Sequence, residues 1–314
     1  MRVGRSIFTL VALSIALSFG CSKKAPSDAV GERAPAGPLT IYTVNYPLAF
    51  FAERLAPTGA KVVLPAPAGA DPAFWKPSVE AVQEYQQASL ILLNGAGYAH
   101  WTRYATLPKT RDVVTADGCR ERFIRNESSV QHQHGPEGEH EHGDRAFSTW
   151  LDLKLAACQA ANIRDALLAR APKDADAINS RFAALENELL SLDARLRRAG
   201  EAWKGSPILA SHPVYQYLAD AYGLSVVSLH FEPEQALTED DWKALDAAVE
   251  RHPATLMLWE GQPLQATEEG LRKRGIEVVV FDPAGQTPAD GDFLTVMEAN
   301  VGRLECATGA KSCD

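Results

Sequence analysis

The sequence predicts an α/β fold of two lobes, each built on a mainly parallel sheet, joined by one long connecting helix. Three observations predict it. From Leu39 onward, short apolar runs alternate with helical patterns, the β-α-β-α order of a sheet covered on both faces. The same alternation resumes after residue 205. Between the two halves, residues 174–203 contain no proline and only one glycine, Gly200. There Ile178, Phe182, Leu185, Leu189, Leu192 and Leu196 recur at 4-3-4-3-4 spacing, which places one apolar stripe along a helix. Such heptads can also serve a coiled coil, but about three of them inside an α/β chain suit a rigid connector packed along both lobes.

Bulk properties fit that frame. The 314 residues suffice for two ordinary domains, and 46% hydrophobic with 23% charged residues is a globular composition. A net charge of −9 argues against a nucleic-acid surface and is compatible with cation capture.

Residues 1–21 read as an export signal. Arg2 and Arg5 precede an apolar core at 7–19, which is shorter than the roughly 20 apolar residues a bilayer span needs. Gly20-Cys21-Ser22 then stands where a bacterial lipoprotein is cut and acylated, so Cys21 is the expected lipidation site. Ser18 holds the position where leucine is usual, and plain secretion is the alternative. Residues 22–38, rich in Ala, Pro, Gly and charge, form a linker.

The N-terminal lobe is expected over 39–172, with strands at 39–44, 61–66, 89–95 and 111–116. Helices are expected at 47–55, 78–88 and through "YAHWTRYATL". The connecting helix is expected at 173–204. The C-terminal lobe follows over 205–314, with strands at 206–211, 224–230, 254–260 and 276–282. Its helices include "PVYQYLADAYG", a segment opening on the capping-box-like Thr238-Glu239-Asp240-Asp241, and a last one at "FLTVMEANVGRLE". Four cysteines remain after processing. In an exported chain disulfides are expected, and Cys306 and Cys313, enclosing a short loop, are the favoured pair.

Residues 131–144, "QHQHGPEGEHEHGD", carry four of the eight histidines as two His-x-His pairs, His132/His134 and His140/His142. Their composition cannot build a core, so a disordered hydrophilic loop is expected. Its imidazoles and carboxylates would make it an auxiliary, multi-site metal collector.

Six motifs carry a family likeness: "DPAFWKPS" (71–78), "LNGAGY" (93–98), "FSTWLDLKLA" (147–156), "SHPVYQYLADAYGL" (211–224), "LWEGQP" and "FDPAG" (281–285). Together, over about residues 39–305, they resemble the zinc/manganese-type solute-binding proteins of bacterial ABC importers. The resemblance implies zinc or manganese as transported ligand and an ABC permease in the membrane as partner. It also implies an exported protein, periplasmic or at the cell surface, held to a membrane by a lipid anchor. About four ligands are implied for the cleft. His212 in "SHPVY" and Asp282 in "FDPAG" match two of them, whereas Ala73 and Ser148 stand where the family has histidine.

Glu260, and His230 and Glu232, stand at strand C-termini, and a site rebuilt from His212, Asp282 and Glu260 with His230 or a loop histidine is expected, since imidazole with carboxylate oxygen suits zinc or manganese. The alternatives are the same fold binding a small organic solute or a metal chelate, and a lipoprotein that has lost solute binding. Trp75, Trp150, Trp242 and Trp259 are expected to pack, His100 and His252 to lie on the surface, and Asp71 to cap a turn. No HExxH, GxSxG, P-loop or Cys/His nucleophile arrangement supports an enzyme.

Overall fold

In the computed structural model, residues 37–125, 131–133, 139–141 and 145–307 are described. The signal segment, Cys21, nearly all of the linker and Cys313 therefore lie outside the described residues, as do His134 and His142.

The first lobe carries strands β1 (Thr40–Thr43), β2 (Lys61–Val63), β3 (Leu90–Leu93) and β4 (Asp112–Val114), with helices α1 (Tyr46–Leu55) and α2 (Val79–Gln87). Its strands pair in parallel in the order β2-β1-β3-β4. Two further short strands, β5 (Gln131–Gln133) and β6 (Glu139–Glu141), pair antiparallel with His132 opposite His140. Two short stretches of the His-rich segment thus pair as strands where no secondary structure is expected from the sequence. Arg125 and Arg145 form an isolated antiparallel bridge outside them.

Helices α3 (Leu153–Arg170) and α4 (Ala175–Ala202) follow. The second lobe contains β7 (Pro207–Ala210), α5 (Gln216–Tyr222), β8 (Ser225–Ser228), α6 (Glu239–Arg251), β9 (Leu256–Trp259), α7 (Gln265–Lys273), β10 (Glu277–Val280) and α8 (Phe293–Ala307). Its all-parallel order, β10-β9-β7-β8, repeats the connectivity of the first sheet.

Helix starts follow their caps. Asn45 accepts from Leu48 N at α1, Ser78 from Ala81 N at α2, and Asp152 from Lys154 N and Leu155 N at α3. Thr238 and Asp241 close a reciprocal capping box at α6, as the sequence predicts. The expected helix after residue 97 is only a 3-10 turn, His100–Arg103, because Gly95, Ala96, Gly97 and Ala99 take left-handed backbone conformations there.

All six residues of the predicted α4 stripe are buried. At about 1.5 Å per residue the helix is about 42 Å long. It packs against α1 and α3 of the first lobe and α5 and α8 of the second. One continuous apolar core therefore contains β1, β3, α4, β7, β9 and α8 side chains. Polar ties cross the same junction. Tyr217 O–H donates to Ala146 O (3.1 Å) and its oxygen accepts from Ile124 N (3.3 Å). Trp150 Nε1 donates to Pro283 O (2.6 Å), and Tyr46 N to Gly285 O (3.1 Å).

The disulfide in the first lobe joins Cys119 to Cys158, fixing the 3-10 turn Asp117–Arg122 to α3. Spacing gave no hint of this pair, since 39 positions separate the two cysteines. Cys306 is also disulfide-bonded.

Gly200 is buried within α4, and an added Cβ would run into the carbonyl of Tyr222 at the end of α5. Ala normally stabilises a helix interior over Gly by about 1 kcal/mol. Gly200→Ala is expected to reverse that sign, costing about 1–3 kcal/mol in urea unfolding through forced separation of α4 from α5. A gain in stability would show that the two helices are free to part.

Candidate functional site

Open α/β sheets bind ligands at the carboxyl ends of their strands, where the strand order reverses. In the second lobe that point lies between β7 and β9. His212 stands two residues beyond β7 and Glu260 directly beyond β9. His230 and Glu232 follow β8, and Asp282 follows β10. All five are thus delivered to one edge of one sheet by parallel strand pairing.

His212 is buried (6% exposed), with Nδ1 3.8 Å from Glu232 Oε1 and 3.9 Å from Glu260 Oε1. These gaps exceed hydrogen-bond length. They are wider than the about 3.3 Å that separates donors around a tetrahedral ion with bonds of about 2.05 Å. His230 lies edge-on to His212, ring centres 5.7 Å apart, but is itself exposed and outside the cavity wall. Among the described residues, no group of three or more His, Cys, Asp or Glu is drawn in to ion-holding distance as it stands.

Asp282 is held by its backbone. Asn300, fully buried on α8, accepts from Asp282 N (3.0 Å) and donates to its carbonyl (2.7 Å). Ala284 N donates to the Asp282 carboxylate (2.7 Å) across a turn in which Ala284 takes a left-handed φ of 53°.

Glu232, Glu260 and Asp282, but not His212, border a cavity of about 750 Å³ between the lobes. Asp71, Glu232, Glu234, Glu260 and Asp282 line it, and no basic side chain does among the described residues. The other wall is aromatic. Tyr98 packs edge-on against Phe147 (5.3 Å) and Trp150 (5.6 Å), and Ser148 lies beside them.

Burial, and then the charges of Glu232, Asp71 and Asp282, push the Glu260 carboxyl up to about 8. Burial also raises Asp282, against the pull of the Ala284 N–H and Arg303. Tyr215 is buried, donates to Phe281 O (2.7 Å), and is raised by burial and then by Glu260 and Asp282.

Asp71 caps its turn, accepting from Ala73 N (2.8 Å), as anticipated, but it also faces Glu260 across the cleft. The sequence reading missed that second role, because 189 positions separate the two. Ala73 is fully buried and Ser148 nearly so, and neither offers an imidazole. Trp150 and Trp259 are buried, and Arg274 stacks on Trp242 (4.4 Å). His100 and His252 are not plain surface residues. The first packs edge-on against Phe74 (5.1 Å), and the second places Nε2 3.1 Å from Ser225 O.

Residues 41–307 match the family model described as ZnuA, zinc-uptake complex component A periplasmic. The chain belongs to this family. It is 30% identical over 247 residues to the metal ABC transporter substrate-binding lipoprotein FimA of Streptococcus parasanguinis, covering 70% of each chain. It is also 30% identical over 239 residues to the manganese ABC transporter substrate-binding lipoprotein PsaA of Streptococcus pneumoniae, again covering 70% of each. The zinc-binding lipoprotein AdcA of S. pneumoniae R6 is 26% identical over 95% of this chain, which spans 60% of AdcA's length.

The ZnuA-family fold extends to solved structures. The Zn(II)-bound ZnuA-like domain of AdcA has a TM-score of 0.72 at 23% identity, covering 87% of this chain and 99% of that one. The periplasmic zinc-binding protein TroA of Treponema pallidum scores 0.68 at 17% identity, covering 87% and 99%. The predicted fold class, two parallel-sheet lobes on a long connecting helix, is that of these neighbours.

A carboxyl raised toward 8 keeps a proton in the folded chain that the unfolded chain releases near its ordinary value. Stability therefore falls as pH climbs through that interval. Glu260→Gln is expected to flatten this decline and raise the stability of the metal-free protein at pH 8 by on the order of 1–2 kcal/mol, roughly 2–4 °C in melting temperature. Equal melting curves for both proteins from pH 5 to pH 8 would refute the repulsion among these acids.

Proposed function

We propose that this chain captures a divalent transition metal, zinc or manganese, outside the cytoplasm and delivers it to an ABC permease in the membrane. One observation carries the reading. A buried imidazole, His212, stands within 4 Å of Glu232 and Glu260, and both of these carboxylates line a cavity walled by five acids and no base among the described residues. Carboxylates gathered this way repel one another, and a divalent cation is the ligand that reverses the sign of that interaction.

The donor set is His212, Glu260, Asp282 and Glu232, with His230 near enough to join if its loop turns inward. Mixed imidazole and carboxylate donors suit zinc and manganese. The names of the zinc-binding AdcA and the manganese-transporting PsaA support the same pair of ions. The lipoprotein names of these relatives support acylation at Cys21, and with it a surface-anchored carrier. The described residues include no helix long and apolar enough to cross a membrane. The His-rich segment would serve as an auxiliary collector through His132, His134, His140 and His142.

Capture is expected to move side chains and loops more than lobes, because α4 and the core it shares with both sheets leave little hinge. His212→Ala is expected to weaken zinc binding in calorimetry by roughly a hundredfold. An unchanged isotherm would reject the cleft as the site. In elemental analysis, a variant lacking residues 131–144 should retain about one equivalent of metal where the full chain holds more. Loss of all metal with the segment would move binding from the cleft to the loop.

A further inference from the structure

We infer that the cargo enters the cleft as a metal complex with a small nitrogen-bearing organic chelator, whose donors take the place of imidazoles absent at Ala73 and Ser148. The inference rests on the metal-capture reading above and specifies the form of its cargo.

Four features converge on it. The first is size. A water occupies about 30 Å³ of liquid, so the cavity of about 750 Å³ has room for roughly 25 of them. The cleft is open to solvent, and its volume falls within the about 300 to 1,000 Å³ of pockets for small organic ligands.

The second is the division of the walls. The second lobe presents Glu232, Glu260 and Asp282, while the first presents Asp71 beside the edge-packed cluster Tyr98, Phe147 and Trp150. Aromatic rings offer a hydrated ion nothing in exchange for its water, but they form a contact surface for the organic half of a chelate.

The third is donor chemistry. Ser148 lines the cavity and brings no nitrogen, and Ala73 is fully buried with no donor at all. The second lobe brings one imidazole, His212, and otherwise carboxylate oxygen from Glu232, Glu260 and Asp282, and transition metals favour more nitrogen than that single ring supplies. The fourth is charge. With five acids on the wall, the complex must keep residual positive charge. An amino acid with a nitrogen side chain leaves a divalent metal at +1. A polycarboxylate such as citrate reverses the sign and should be excluded.

The test uses the full chain with His132→Ser, His134→Ser, His140→Ser and His142→Ser, so that the cleft alone reports. Zinc is titrated calorimetrically alone, with one equivalent of L-histidine, and with one equivalent of citrate. In an all-protein site histidine competes and weakens zinc binding. Here it is expected to strengthen apparent binding at least about tenfold, with zinc and histidine co-eluting one to one in gel filtration, while citrate weakens it.

Ser148→His in the same background supplies a protein imidazole, and is expected to bind zinc alone more tightly and to lose the histidine enhancement. Tight binding of zinc alone, weakened by histidine, overturns the chelate and leaves metal capture standing. Absence of binding in both the zinc and the zinc–histidine titrations overturns both readings.

Discussion

The apolar seam of α4 sets the distance between the two sheets, and with it everything that faces the cleft. Ile178, Phe182, Leu185, Leu189, Leu192 and Leu196 are all buried, on a helix that touches both lobes. Opening the cleft would expose part of this seam at about 25 cal/mol for each Å² of apolar surface, and would also strain the Tyr217, Trp150 and Tyr46 hydrogen bonds. The carboxylates at the cleft cannot relieve their repulsion by moving the lobes apart. Glu260 instead retains a proton, a local response that a rigid frame imposes.

The two lobes repeat one strand order but finish it differently. In the second lobe the residues leaving the two central strands are His212 and Glu260. In the first, Asn45 follows β1 and Asn94 follows β3, and the two amides bond each other at 3.2 Å. Asn94 is further enclosed by Gln159 (3.1 Å) and Thr149 (3.3 Å), a buried network with no ionisable member. One sheet edge is therefore closed by neutral hydrogen bonds and the other is left ionisable. The duplicated architecture becomes a wall and a donor face.

Much of the fold was legible because its signals are local and periodic. The 4-3-4 stripe announced α4, and every strand predicted in the two sheets exists, although the one expected at 61–66 stops at Val63. Strand order was not legible, since nothing in an apolar run says which neighbour it will take. Nor was the Cys119–Cys158 bridge, which depends on α3 passing beside the 3-10 turn at Asp117–Arg122. At the site, His212, Glu260 and Asp282 could be nominated from their places after strands. That Glu232 would come within 3.8 Å of His212, while His230 stayed exposed, depends on how the loop after β8 folds back. Asp71 was hidden by its ordinary look as a turn cap.

A cleft of fixed width constrains what can bridge it. A hinged carrier can close on a bare ion and bring both lobes into contact with it, but a frame welded along α4 cannot. The span between the aromatic wall and the acidic edge must then be crossed by side chains long enough to reach, or by the cargo itself. On the first lobe Ser148 offers only a hydroxyl, Ala73 is buried without a donor, and Asp71 is the carboxylate that faces Glu260. The acids opposite, drawn together by strand order, can supply attraction for a cation but, His212 apart, only oxygen donors. Rigidity, wall chemistry and missing donors thus point the same way, since each would be a defect in a carrier of bare ions and each is consistent with a cargo that brings its own ligands.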